Sequence, residues 1–215
     1  MIMTMLNSIP SNILNAYQPA SFLDNLYLKM RWRLCPYELI ESFTPKNGKI
    51  LDFGCGYGLL TNLLTLDNKS RTLIGIDTDT ERIRKAKRSS INRNNISFHA
   101  MNIEKLTESN FDAIVMTDVL HHIHTMDVLR LFTIFIHHLN DQGVIVILDV
   151  DRSPFWKYCI AHSIDRLLNP TSSLYYRSVT DMKQLLSIFP LKIEKIIRAD
   201  KNIPLSDIIY ICKKV

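Results

Sequence analysis

Two rhythms of apolar and polar residues divide this chain. Short apolar runs of strand length recur at residues 49–53, 72–76, 96–100, 111–116 and 144–150. Between them lie stretches that fit helices, at 59–66, 79–92 (highly charged) and 128–139. Strands that are apolar throughout belong in a sheet covered on both faces, and their alternation with helices predicts parallel pairing.

The ends of the chain break this rhythm. Residues 155–168 and 180–189 read as two further helices, the second with Thr180 as N-cap. Residues 192–199 and 207–212 read as strands, and two strands with only a short connection are most simply antiparallel. The predicted fold class is α/β: a doubly wound, seven-stranded, mostly parallel sheet with an antiparallel C-terminal strand pair and helices on both faces. Ahead of the first strand, residues 1–20 carry Pro10, Pro19 and several Asn and Ser and read as loose chain. Residues 21–43 suggest one or two helices broken near Pro36, and 45–48 a turn into the sheet.

Composition acts mainly by exclusion. With 215 residues, 47% hydrophobic and 22% charged, the chain suits one soluble core rather than two. Cys35, Cys55, Cys159 and Cys212 are scattered without a C-x-x-C pair, which argues against a disulfide framework or structural zinc and for a reducing compartment. The opening residues lack the pattern of a secretory signal, and no run approaches the roughly 18 apolar residues of a membrane span, so a cytoplasmic location is expected. The net charge of +5 gives a weak bias toward anionic partners: nucleic acid, an acidic substrate or a lipid headgroup surface.

Candidate chemistry starts at residues 50–61, Ile-Leu-Asp-Phe-Gly-Cys-Gly-Tyr-Gly-Leu-Leu-Thr. An apolar strand runs through a glycine-rich turn into a helix, and such a turn lets a ligand approach the main chain. A dinucleotide-binding turn needs a third glycine where Leu59 stands, and a P-loop needs Gly-Lys-Ser/Thr; neither fits. Asp52, just ahead of the glycines, suits an ammonium-bearing ligand better than a pyrophosphate. The remaining pattern, D-x-G-x-G-x-G, resembles motif I of the class I S-adenosylmethionine-dependent methyltransferases.

The other strand ends extend that resemblance. Asp77 closes the second strand about 20 residues past the glycines, where an acidic side chain can accept both ribose hydroxyls. After the third strand stands Asn102, where the family usually has Asp; the resemblance makes Asn102 an acceptor for the adenine amino group and Ile103 a packing surface for the ring. Residues 111–123, Phe-Asp-Ala-Ile-Val-Met-Thr-Asp-Val-Leu-His-His-Ile, resemble the family stretch that passes the methionine part of the cofactor. The implied cofactor-binding set is Asp52, Gly54, Cys55, Gly56, Gly58, Asp77, Thr78, Asn102, Ile103, Thr117 and Asp118, with S-adenosyl-L-methionine as the cofactor.

Methyl transfer from a sulfonium is an in-line displacement that positioning and desolvation largely govern, and a base is needed only where the acceptor loses a proton. His122 and His121 are the candidate catalytic residues. His121, His122 and His124 lack the carboxylate partners of a magnesium site and the spacing of common zinc sites, so no metal is expected. The chain has Val-Leu-His where amino-group methyltransferases carry Pro-Pro-Tyr, and no cysteine stands there as a cytosine-C5 enzyme needs. Arg82, Arg84, Lys85, Lys87 and Arg88 are expected on a solvated helix face away from the strand ends, which makes nucleic acid an unfavoured partner.

The additions to the core point to the acceptor. The apolar face of 155–168, from Phe155 and Trp156 to Leu168, together with Tyr27, Met30 and Trp32, is expected to roof an acceptor pocket. Tyr27, Arg31, Trp156, Tyr176 and Arg177 are the candidate substrate-binding residues, with Lys29 and Arg33 available to an anionic group or membrane surface. The reading is a single methyltransferase domain over 1–215: a helical lid (1–47), a cofactor-binding core (48–151), and substrate-side helices with the terminal strand pair (152–215). The expected partner is a small apolar, aromatic or lipid- or quinone-like acceptor, methylated on oxygen by a monomer or homodimer with possible peripheral contact to an anionic membrane. An RNA-modifying enzyme and a non-catalytic cofactor-binding sensor are the alternatives.

Overall fold

The computed structural model describes residues 8–18, 20–66, 68–91, 93–168, 172–200 and 203–215. Its seven strands are β1 (Gly48–Phe53), β2 (Arg71–Asp77), β3 (Ile96–Ala100), β4 (Phe111–Thr117), β5 (Leu139–Val150), β6 (Leu191–Arg198) and β7 (Asp207–Lys214). They form one sheet in the order β3-β2-β1-β4-β5-β7-β6. β1 to β5 pair in parallel, and β7 enters between β5 and β6, antiparallel to both. The order reverses at β1, which has β2 on one side and β4 on the other.

The strand interiors explain why both faces are covered. Along the central strands, successive residues enter opposite cores. Ile50, Leu73, Val115, Val146 and Leu148 pack on one side, with Leu51, Ile74, Ile114, Met116, Ile145 and Ile147 on the other. Each fully buried aliphatic side chain stabilises the fold by about 1.5–3 kcal/mol relative to exposure. Helices α1 (Ser11–Ala16), α2 (Phe22–Leu34), α3 (Tyr37–Phe43) and α4 (Leu59–Thr65) cover the first face. On the second lie α6 (Thr125–His138) and α8 (Val179–Leu186). The charged helix α5 (Thr80–Ser89) buries Ile83 and Ala86 against β3, and α7 (Phe155–Leu168) packs Ala161 near Val150.

Several sequence expectations change. Residues 11–16 are helical, not loose, because Ile13 and Tyr17 are buried, and Tyr17 Oη donates to the Tyr57 carbonyl and accepts from Asn62, each at 2.8 Å. Pro19 lies outside the described residues. The strand predicted over 144–150 starts earlier, at Leu139, so that residues 141–143 belong to β5, with Gln142 at φ 66°. α8 begins at Val179 rather than Thr180, because Ser178 and Asp181 form a reciprocal capping box.

The expected apolar roof also differs. Phe155, Trp156 and Leu167 are exposed at 73%, 58% and 81%, so most of that helical stripe faces outward. Trp32 is core, packed on Tyr37 with ring centres 5.5 Å apart. The side chain of Leu168 lies outside the described set.

Candidate active site

A cavity of about 750 Å³ opens beyond the carboxyl ends of β1, β2 and β4, at the reversal of strand order. The loop after β1 lines it with Gly54, Cys55, Gly56 and Tyr57; β2 gives Asp77 and Thr78, and the segment after β3 gives Asn102 and Ile103. β4 and its loop add Thr117, Asp118 and His122; α2 adds Tyr27 and Arg31, and α7 adds Asp165.

The glycine turn shapes this wall through its backbone. Gly54, Gly56 and Gly58 all adopt positive φ. A Cβ on Gly58 would stand 2.5 Å from the Phe98 ring, whereas Gly56 faces open space and leaves the main chain bare toward the cavity. Asp77 locks the turn: its Oδ2 accepts from Gly56 N and its Oδ1 from Asp79 N, each at 2.9 Å. Each oxygen keeps a lone pair for a ligand hydroxyl.

Asp52 and Gly58, predicted with this set, do not border the cavity. Asp52 is buried beneath the turn, and Thr61 Oγ1 donates to its Oδ2 at 2.5 Å, while Oδ1 has no partner. Burial, with the nearby Asp77 carboxylate adding to it, pushes the Asp52 carboxyl up to about 7.

The wall after β4 is built from side chains. Asp118, at φ 55°, accepts from Arg31 Nη1 at 2.8 Å, and its Oδ1 is buried without a partner. This pair ties α2 to the end of β4. The following turn, Leu120–His122, hangs on Arg177, which donates to the Leu120 and Ile123 carbonyls at 2.8 Å and to Thr125 Oγ1 at 3.2 Å. Arg177 is thus a buried brace that does not border the cavity.

His121 is buried behind the wall. Its Nδ1 bonds the Asp149 carboxylate, its Nε2 lies 3.3 Å from Asp165 Oδ2, and its ring stacks on Tyr176 with centres 5.0 Å apart. Burial opposes its charge, but the two carboxylates outweigh it and raise His121 to about 10. His122 faces the cavity, with Nδ1 3.0 Å from Ser172 Oγ. Partial burial and the neighbouring charge of His121 hold it below the ordinary histidine value, so it is neutral near pH 7.

The fold thus gathers nine predicted cofactor-side residues on one cavity: Gly54, Cys55, Gly56, Asp77, Thr78, Asn102, Ile103, Thr117 and Asp118. Tyr27, Arg31 and His122 share it, whereas Trp156 and Tyr176 do not border it. Tyr176 stands behind, donating its hydroxyl to Asp165 at 2.5 Å.

Sequence reading missed five charged residues that line this cavity: Arg82, Glu104, Asp127, Arg130 and Asp165. Asp165 reaches the cavity from α7, marked in the sequence only as the sole acidic residue of an apolar helix. Arg82, expected on a solvated face, also lines the cavity because α5 starts directly after the end of β2. Lys85 on the same helix bonds Asp24 and Tyr57.

The unpartnered acceptor Asp118 Oδ1, the bare main chain at Gly56 and the spare lone pairs of Asp77 fit a ligand carrying an ammonium group and hydroxyls. Comparisons with known proteins agree in kind. A methyltransferase-domain family model matches residues 25–192. Nodulation protein S of Azorhizobium caulinodans is 32% identical over 84 residues; that match spans 39% of each chain. Among solved structures, a methyltransferase from Methanosarcina mazei, described as S-adenosylmethionine-dependent, superposes with a TM-score of 0.64 at 18% identity, covering 85% of this chain and 98% of its own. Magnesium protoporphyrin IX methyltransferase from Synechocystis, with bound S-adenosylhomocysteine, gives 0.66 at 14% identity, covering 95% of this chain and 94% of its own. With the family model spanning β1 to β5, the glycine turn and the histidine loop together, the chain belongs to the methyltransferase-domain family, and its fold is that of the S-adenosylmethionine-dependent methyltransferases it superposes on.

Proposed function

We propose that the cavity holds S-adenosylmethionine along the β1–β3 side and a small apolar or aromatic acceptor, lipid- or quinone-like, against the loop after β4, with oxygen as the atom methylated. The observation that carries this reading is the neutral His122 on the wall of a cavity that Tyr27 and Tyr37 also line. A neutral imidazole can take the proton that a hydroxyl loses as it attacks, whereas a neutral amine attacks through its lone pair and needs no base for that step. Among similar structures, the protoporphyrin methyltransferase is named for a small-molecule acceptor.

When bound, S-adenosylmethionine supplies an electrophilic methyl group on a sulfonium. Asp77 would accept from the ribose hydroxyls, Asn102 from the adenine amino group, and Ile103 would pack on the ring. Thr117 and Asp118 would flank the methionine part, while Arg31 holds Asp118 in place. Tyr27 would cover the acceptor from α2, and His122 would orient its hydroxyl and receive its proton. His121, fixed between Asp149 and Asp165, sets the position of the neighbouring ring. Trp156, Tyr176 and Arg177 would bear on the acceptor only indirectly, as an exposed helix face, an Asp165 anchor and a loop brace.

The surface supports an apolar acceptor. Phe22, Leu23 and Leu26 of α2 are 80%, 73% and 55% exposed, and Lys29 and Arg33 of the same helix are exposed too, a combination suited to peripheral contact with anionic lipid. Among the described residues, no helix is long and apolar enough to cross a membrane. Transfer of tritium from labelled cofactor into an organic extract of cells tests the proposal. Label in tRNA or rRNA instead overturns it in favour of RNA modification, and binding without transfer to any fraction makes the chain a sensor.

A further inference from the structure

Asp118 and Asp127 flank the His-His-Ile-His stretch in sequence, yet the carboxylate that joins its imidazoles comes from elsewhere in the fold. α7 brings Asp165 to both imidazoles, and the ligand atoms of His121, His122 and Asp165 lie within 4.8 Å of one another. His121 Nε2 and Asp165 Oδ2 are 3.3 Å apart. That is about the spacing of two ligands set tetrahedrally at roughly 2.0–2.1 Å from one ion.

Each of the three also has a partner outside the cluster. His121 Nδ1 bonds Asp149, His122 Nδ1 bonds Ser172 Oγ, and Asp165 accepts the Tyr176 hydroxyl. Both histidines therefore spend Nδ1 on an outer partner and leave Nε2, the pattern by which supporting residues orient metal-binding imidazoles. The buried Nε2 of His121 has no hydrogen-bond partner of its own.

We infer that His121, His122 and Asp165 form a binding site for a divalent transition-metal ion, with Asp149, Ser172 and Tyr176 as its outer supports. Two imidazoles and one carboxylate favour zinc, cobalt or iron(II) over magnesium or calcium. His122 and Asp165 border the cavity while His121 stands behind them, so the open coordination position faces the acceptor. The consequence for chemistry rests on the proposed function. With the ion in place, the acceptor oxygen binds it, the O–H bond breaks, and the proton leaves to water instead of to His122, whose lone pair is engaged.

The test uses the full chain, stripped with a chelator and dialysed, then titrated with Co²⁺ alone while visible ligand-field absorption is read; bound Zn²⁺ is counted by atomic emission. The expected result is one ion per chain. Asp165→Asn and His122→Gln should each weaken Co²⁺ binding about tenfold or more, and Asp149→Asn by about ten- to hundredfold. Unchanged binding of S-adenosylhomocysteine to the same variants establishes that they are folded. Absence of cobalt bands, or equal Co²⁺ affinity in the parent and Asp165→Asn, overturns the metal site and leaves His121 as a cation between two carboxylates. Metal binding in a chain that transfers no methyl group supports the site and overturns the proposed function instead.

Discussion

The two ends of the cavity are built from different materials. Under the glycine turn the wall is main chain, shaped by three positive-φ glycines and pinned by one carboxylate, Asp77. After β4 the wall is side chain: Asp118 and His122 from the loop, Arg31 from α2, and Asp165 from α7, each held by a partner distant in sequence. A main-chain wall holds one ligand shape in place, while a side-chain wall can be rebuilt by single substitutions. The first therefore suits the invariant cofactor and the second the variable acceptor.

The sharpest way to break this comparison is at His122. Replacing it by Ala should lower kcat by roughly 10²- to 10⁴-fold, the usual contribution of a group that handles a transferred proton, and leave binding of S-adenosylhomocysteine unchanged in calorimetry. A parallel loss of cofactor affinity would mean that the two ends are not separable.

Asp77→Ala attacks the opposite end. It removes the acceptor of Gly56 N and both proposed ribose contacts, each charge-assisted bond being worth about 1.5–3 kcal/mol. Cofactor affinity should fall by about a hundredfold, and an unchanged Kd in the same calorimetric titration would displace the ribose from this position.

Asp52 supplies a pH-dependent prediction. Its carboxyl titrates at about 7 in the fold against 3.8 ordinarily, so between those values the folded chain holds more proton than the unfolded chain. Its contribution to stability is full below pH 4, is lost as pH rises toward 7, and changes no further above. Asp52→Asn removes that slope: thermal melts should show little difference from the parent at pH 4 and a gain on the order of 2–4 kcal/mol at pH 8.

The smallest effect is expected at Trp156. With the ring 58% exposed and off the cavity, Trp156→Ala should change kcat/KM by less than about twofold on a soluble acceptor. A large drop would restore the apolar roof that the sequence pattern suggested.

How far each end was legible follows from the same contrast. The strands declared themselves because apolar runs buried on both faces leave a local signature, and Asp77, Asn102 and Thr117 were placed by lying at strand ends in a known order. The histidine end was less legible because its geometry is long-range. Asp165 carries no local signal of a role in its helix, and only the packing of α7 beside the histidine loop brings it to the imidazoles. Arg82 was placed too far away because the helix start was taken as remote from the strand end. Asp52 was identified as cofactor-facing from a linear motif, yet Thr61, on the helix that follows, draws its carboxylate under the turn. Tyr17 shows the same limit: a single buried hydroxyl, bonded to Tyr57 and Asn62, is enough to order a segment whose composition reads as coil.

The brace formed by Arg177 has an evolutionary consequence. Because the loop carrying His121 and His122 takes its shape from a guanidinium that lies after α7, the helix between them is free of that duty. The rest of residues 155–168 can be exchanged around a fixed Asp165 against an unchanged loop, which gives a lineage of such chains a route to new acceptors without rebuilding the machinery that moves the methyl group.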